Sequence, residues 1–144
     1  MIAVDTNVLL RRILNDDDEQ SAKARKLFED ARPVLITDVV LVETIWTLTG
    51  KRYRATKENI RALVMSLLEE PHTVFEDKQT IWSALNDFIG AKPIKTANGT
   101  KAADLADALI VNKAKTVSRD MHLSYDGTFT FDRAALQLDG TRTP

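Results

Sequence analysis

Ile2-Ala3-Val4-Asp5-Thr6-Asn7 is the stretch from which this chain is read. Three apolar residues run into an acid, two small polar residues follow, and Val8-Leu9-Leu10 resumes the apolar pattern. A short apolar run of this kind reads as a buried strand. Its carboxylate then stands at the strand's C-terminal end, the edge at which open α/β sheets bind ligands. Burying an unpaired charge is costly, so Asp5 is expected to have a partner.

At 144 residues the chain reads as one domain spanning 1–144. Its apolar share of 44% and charged share of 28% are ordinary for a globular protein. There are no cysteines, which excludes disulfides and thiolate metal sites. The two histidines, His72 and His122, lie at no metal-ligand spacing. A metal site would therefore be built from oxygen ligands, favouring Mg²⁺, Mn²⁺ or Ca²⁺. The net charge of -1 carries no nucleic-acid signature. No apolar run reaches the length of a membrane span, and the N-terminus lacks a signal-peptide pattern, so the expected compartment is the cytoplasm.

Onward from Asp5, Val8–Ile13 reads as a short helix. Asp16 and Glu19 are spaced as a capping box for the next helix; a cation site is the alternative for that acidic run. Ala24, Leu27, Phe28 and Ala31 give this helix an inward stripe. Val34-Leu35-Ile36 is a second strand. Thr37 or Asp38 then caps a helix ending near Gly50. That helix is apolar nearly all round and so is expected to be buried, with Glu43 its only ionisable residue after Asp38. Glu43 is either functional or paired with an arginine. Lys51-Arg52-Tyr53-Arg54 either complements the helix dipole or contacts phosphate with an aromatic for stacking. Thr56 caps a helix that stops before Pro71, Thr73-Val74-Phe75 is a third strand, and Asp77 caps a structural helix in which Trp82 packs. Ala91–Lys101 reads as a loop. Ala102–Val111 is a second nearly all-apolar helix whose acids, Asp104 and Asp107, share a face at i and i+3. A cap accounts for Asp104 but leaves Asp107 unexplained. Ser118–Tyr125 reads as irregular, Thr128–Phe131 as a strand running into Asp132, and the segment from Asp139 as a frayed tail.

Strands alternating with helices imply an α/β fold with a mostly parallel sheet. The strands ending at Asp5 and Asp132 deliver acids to one edge if they run parallel, and the helices of Glu43 and Asp107 each offer another. Convergence of all four would demand cations, most simply Mg²⁺ or Mn²⁺. Such a site suits phosphodiester hydrolysis, because the metal lowers the pKa of a bound water and stabilises charge on phosphate oxygens.

Ile2–Leu9, Val42-Glu43-Thr44, Asp107-Ala108-Leu109-Ile110 and Thr130-Phe131-Asp132-Arg133 together resemble the PIN-domain ribonucleases, and most closely the VapC toxins of type II toxin–antitoxin systems. The resemblance implies a PIN-like three-layer α/β domain, a central mostly parallel sheet flanked by helices. It also implies an Mg²⁺- or Mn²⁺-dependent endoribonuclease that forms a homodimer and is inhibited by a small VapB-like antitoxin. Carried over, Asp5 and Asp107 are the principal metal ligands, Glu43 binds metal or positions water, and Asp132 completes the set. Asp104 is an alternative ligand to Asp107. Thr6 and Asn7 would orient Asp5, and Thr130 would act near Asp132. Arg11, Arg12, Lys51, Arg52, Arg54 and Lys95 are candidates for the RNA backbone. Competing readings are an Asp-nucleophile phosphatase, which wants an Asp where Asn7 stands, a receiver-type signalling module, and a catalytically silent PIN-fold binding module.

Overall fold

A computed structural model describes residues 1–30 and 32–144. Ala31, counted above in the inward stripe, lies outside the described residues. The chain divides into two compact units, Met1–Lys78 and Gln79–Pro144. Among the described residues are six α-helices and a parallel sheet, an α/β fold.

The first unit contains β1 (Ile2–Ala3), α1 (Thr6–Leu14), α2 (Asp18–Glu29), β2 (Val34–Ile36), α3 (Asp38–Thr49), α4 (Lys57–Glu69) and β3 (Thr73–Phe75). Its strands form one parallel sheet in the order β1-β2-β3, with Ala3 beside Leu35 and Leu35 beside Val74. Parallel neighbours need long crossovers, which the paired helices supply. Val4, Val34, Ile36 and Phe75 are buried from the sheet, and Leu9, Leu41, Ile60 and Val64 from the helices. Each helix begins where its sequence provides an acceptor. Asp5 caps α1, Thr37 caps α3, and Thr56 with Asn59 forms a capping box on α4.

Several expectations are corrected here. The cap of α2 is Asp17, which accepts from the Gln20 N–H at 2.8 Å; Asp16 instead pairs with Arg11 at 2.8 Å. In a run of adjacent aspartates the cap is decided by which backbone turns extended, and Asp17 does so (φ -141, ψ 111). Helix α1 starts at Thr6, because Asp5 is already its cap. Helix α3 is not buried all round: Leu41, Ile45 and Leu48 pack inward, while Val39 and Trp46 are 65% and 60% exposed.

The second unit holds α5 (Lys78–Gly90, its first residue belonging to the first unit), the antiparallel hairpin β4 (Ile94–Thr96) and β5 (Gly99–Lys101), α6 (Leu105–Asp120), β6 (Thr128–Phe129), a 3₁₀ turn (Ala135–Gln137) and β7 (Thr141–Arg142). The span Ala91–Lys101 is thus partly a hairpin, turning at Gly99 with φ +118, a conformation that favours glycine. Helix α6 continues through Asp120, into the segment expected to be irregular, and leaves Ile110 and Val117 exposed. The tail is not frayed throughout, because Thr141–Arg142 pairs in parallel with Thr128–Phe129. These two strands form a sheet of their own, so Asp132 does not follow a strand of the β1-β2-β3 sheet as the sequence pattern implied.

Candidate active site

Asp5 follows β1 at the C-terminal edge of the parallel sheet. It is exposed, so the desolvation argument for a partner does not apply to it. One carboxylate oxygen accepts the Val8 N–H at 2.9 Å, which holds the side chain over the first turn of α1. The next residue, Thr6, donates its hydroxyl to Glu43 on α3 at 2.6 Å. Thr6 therefore orients Glu43, and through adjacency ties it to Asp5, where the sequence reading had it orienting Asp5 itself. Asn7 and Arg11 line a cleft of about 250 Å³ together with Asp5 and Gln20.

In the second unit Asp104 and Asp107 cap α6 reciprocally. Asp104 Oδ1 accepts the Asp107 N–H at 2.8 Å, and Asp107 Oδ2 accepts the Asp104 N–H at 3.0 Å. This capping box gives Asp107 the structural role that a simple cap did not. It does not remove the cost of its charge. Burial, together with the charges of Asp104 and Asp132, pushes the Asp107 carboxyl above its ordinary value.

Asp132 caps the 3₁₀ turn, its Oδ1 accepting from the Ala134 N–H at 2.8 Å, while its Oδ2 is paired with the Lys101 ammonium. The Thr130 hydroxyl accepts the Asp132 N–H at 3.0 Å. Lys101, followed first by the Ala134 amide, holds the Asp132 carboxyl below its ordinary value. Sequence reasoning reaches Lys101 only as the end of the lysine-bearing Ala91–Lys101 segment and does not reveal its pairing with Asp132. The only signal for it was its place in a lysine-bearing segment just ahead of Asp104.

Lowering of an acid's folded pKa contributes stability above the unfolded pKa of about 3.9 and loses it as pH falls through the folded value. Lys101→Met is therefore expected to lower the melting temperature of metal-free protein slightly at pH 7. The two proteins should converge at acid pH, as the pH falls through the lowered folded value of Asp132 and the carboxyl is protonated in folded and unfolded chains alike. Melting curves by circular dichroism at both pH values check this; a gap undiminished in acid would refute it.

The basic candidates divide. Arg11 is bound to Asp16 and, through Nε, to Gln20 at 2.8 Å. The hydrogen bond from Arg11 holds Asp16 below the usual carboxylate range. Arg12 pairs with Glu70 and lies 4.0 Å from the centroid of Phe28, beside a cavity of about 540 Å³ that His72 also lines. His72 lies just ahead of β3, so this cavity is at the opposite edge of the sheet from Asp5. Lys51, Arg52 and Arg54 are exposed in the turn after α3, and Lys95 is exposed on β4.

All the candidate ligands carry oxygen donors, and Asp107 is an acid whose charge its neighbours oppose. Both features fit a hard divalent cation. Among the described residues no three His, Asp or Glu side chains are gathered closely enough to hold a metal ion.

Residues 2–139, all but the extreme ends of the chain, match the family model described as PIN domain. The chain belongs to the PIN domain family. A comparison with curated proteins found no match. The PIN domain match runs through both compact units and includes every candidate acid named above. PIN domains are generally nucleases, and those nucleases usually use divalent metal ions. This PIN domain has no helix long and apolar enough to cross a membrane among its described residues.

Proposed function

We propose that this PIN domain, a single domain over 1–144, is an Mg²⁺- or Mn²⁺-dependent endoribonuclease and the toxin of a type II toxin–antitoxin pair. The observation carrying the catalytic part is Asp107, an acid set on an apolar helix, pushed toward protonation by burial and by Asp104 and Asp132. An arrangement that penalises its own charge is the kind found where a cation or substrate is meant to relieve it. In this reading Asp5, Glu43, Asp107 and Asp132 hold the cation, with Asp104 able to substitute for Asp107. The cation supplies an acidified water and stabilises charge on the phosphate. Thr6 holds Glu43 toward the water, and Thr130 steadies the Asp132 backbone. Arg11, Lys51, Arg52, Arg54 and Lys95 bind backbone phosphates, and Arg12 serves only if it leaves Glu70. Water attacks phosphorus in line, leaving a 5′-phosphate and a 3′-hydroxyl.

The toxin assignment rests on the VapC-like motifs. With it go a VapB-like antitoxin, a homodimer and a cytoplasmic location. The purified protein is expected to cut single-stranded RNA in Mg²⁺ or Mn²⁺, to stop in excess EDTA, and to resume when metal is restored. Full cleavage in excess EDTA would exclude this mechanism. Growth arrest on expression, relieved by the product of an adjacent short reading frame, tests the toxin role. One observation favours a catalytically silent PIN module instead: Asp5, Asp104, Asp107 and Asp132 each accept a backbone N–H at or beside a helix start. Metal-dependent cleavage separates the two readings.

A further inference from the structure

Trp46 stands 60% exposed on α3, where a large aromatic side chain gains nothing from water. It does not stand on a flat surface. With Asn7, Arg11, Lys51, Arg52 and Tyr53 it lines a groove of about 410 Å³ inside the first unit. The Arg52 guanidinium lies 5.2 Å from the Tyr53 ring centroid, a cation–π pair at the groove wall. Three cations, Arg11, Lys51 and Arg52, face one acid, Asp16, which is already bound to Arg11. Asn7 and Arg11 also line the cleft that contains Asp5, so the groove and that cleft share a wall.

An aromatic face between cations calls for a ligand that is flat and apolar on its faces and anionic along its length. We infer that this groove is a base-stacking subsite for single-stranded RNA, in which Trp46 takes one unstacked nucleobase and Lys51 and Arg52 take the flanking phosphates. A duplex hides its base faces in its own stack and does not meet the requirement. A strand seated here has Asn7 and Arg11 between its stacked base and Asp5, so the subsite bears on which phosphate lies near Asp5. The inference deepens the ribonuclease reading and rests on it. It also gives the turn after α3 a task that complementing the helix dipole does not require.

The chain has two tryptophans, Trp46 and Trp82, so Trp82→Phe makes Trp46 the sole indole reporter. In that protein, held in EDTA to prevent cleavage, a single-stranded RNA of about ten nucleotides is expected to quench Trp46 emission saturably. The same sequence as a duplex should quench far less. Trp46→Ala is expected to weaken binding about 5- to 150-fold, the range for loss of one stacked base, and Trp46→Phe to recover part of it. Circular dichroism confirms that both variants stay folded.

Binding of RNA without quenching, together with unchanged affinity in Trp46→Ala, overturns the subsite while leaving the ribonuclease reading intact. A quench that follows protein concentration without RNA overturns it in favour of a second copy of the chain on this face. Failure to bind or cut any RNA, with metal present, overturns the ribonuclease reading and the subsite together.

Discussion

Asp107→Asn is expected to lower metal-dependent RNA cleavage at least about 100-fold, because a ligand supporting several kcal/mol of transition-state charge stabilisation is lost. The same substitution is expected to raise the melting temperature of the metal-free protein at pH 7. Asn keeps a side-chain carbonyl able to accept the Asp104 N–H, so the capping box survives. It removes the charge that burial and two neighbouring aspartates oppose. The direction of the pH effect follows from linkage. An acid whose folded pKa is raised weakens the folded state above that pKa, and the penalty disappears below the unfolded value of about 3.9. The advantage of Asn should therefore be largest near neutrality, shrink as the pH falls through the raised folded value, and be gone below about 4. Cleavage assays and melting curves at three pH values measure both effects. Activity retained in a folded Asp107→Asn protein would remove Asp107 from the site. Lower stability at pH 7 would show that the helix dipole and the cap outweigh the charge penalty.

Leu9→Ala is expected to destabilise the protein by about 3–5 kcal/mol, the cost of deleting a fully enclosed leucine that leaves a cavity. Leu9 has no exposed surface and sits one turn after Asp5, on the helix that packs against both α2 and α3. Against a typical total of about 5–15 kcal/mol, such a loss lowers the melting temperature by roughly 10 °C. It also bears on the site, since α1 fixes Asp5 by its first turn and Thr6 by its own backbone, and Thr6 fixes Glu43. Chemical denaturation gives the free energy directly. A change under about 1 kcal/mol would mean that the neighbours collapse into the space left behind, contrary to a close-packed core.

Where local chemistry governs, residue order was a good guide. Pro33 and Pro71 fall outside the helices, Thr37 and Thr56 cap as their types prefer, and the three short, largely apolar runs near residues 2, 34 and 73 form the parallel sheet. Where the outcome depends on what lies opposite, residue order misled. The helices of Trp46 and Ile110 are apolar nearly all round, which favours burial, yet both side chains are exposed. Apolarity states only that burial is favourable, and a helix buries whichever face its neighbours cover. The β4–β5 hairpin is not legible in the sequence because Lys95 and Thr100 pair without apolar alternation, so no period marks them as strands. Thr128–Phe129 is legible as part of the alternating run Thr128–Phe131, whereas its neighbour Thr141–Arg142 carries no such alternation.

By itself the sequence determined the class of this protein: an α/β PIN domain whose acids, spaced along four segments, carry only oxygen donors. Those properties are local, written in short apolar runs, capping residues and the absence of cysteine. Only the tertiary structure decided which atoms the acids engage. It gave Glu43 to the Thr6 hydroxyl, locked Asp104 and Asp107 in a mutual cap, put Lys101 on Asp132, and left Trp46 open beside a basic groove. Those partners lie as much as 37 residues apart in the chain. A hydrogen bond is decided by distances of a few tenths of an ångström, which chain order does not encode.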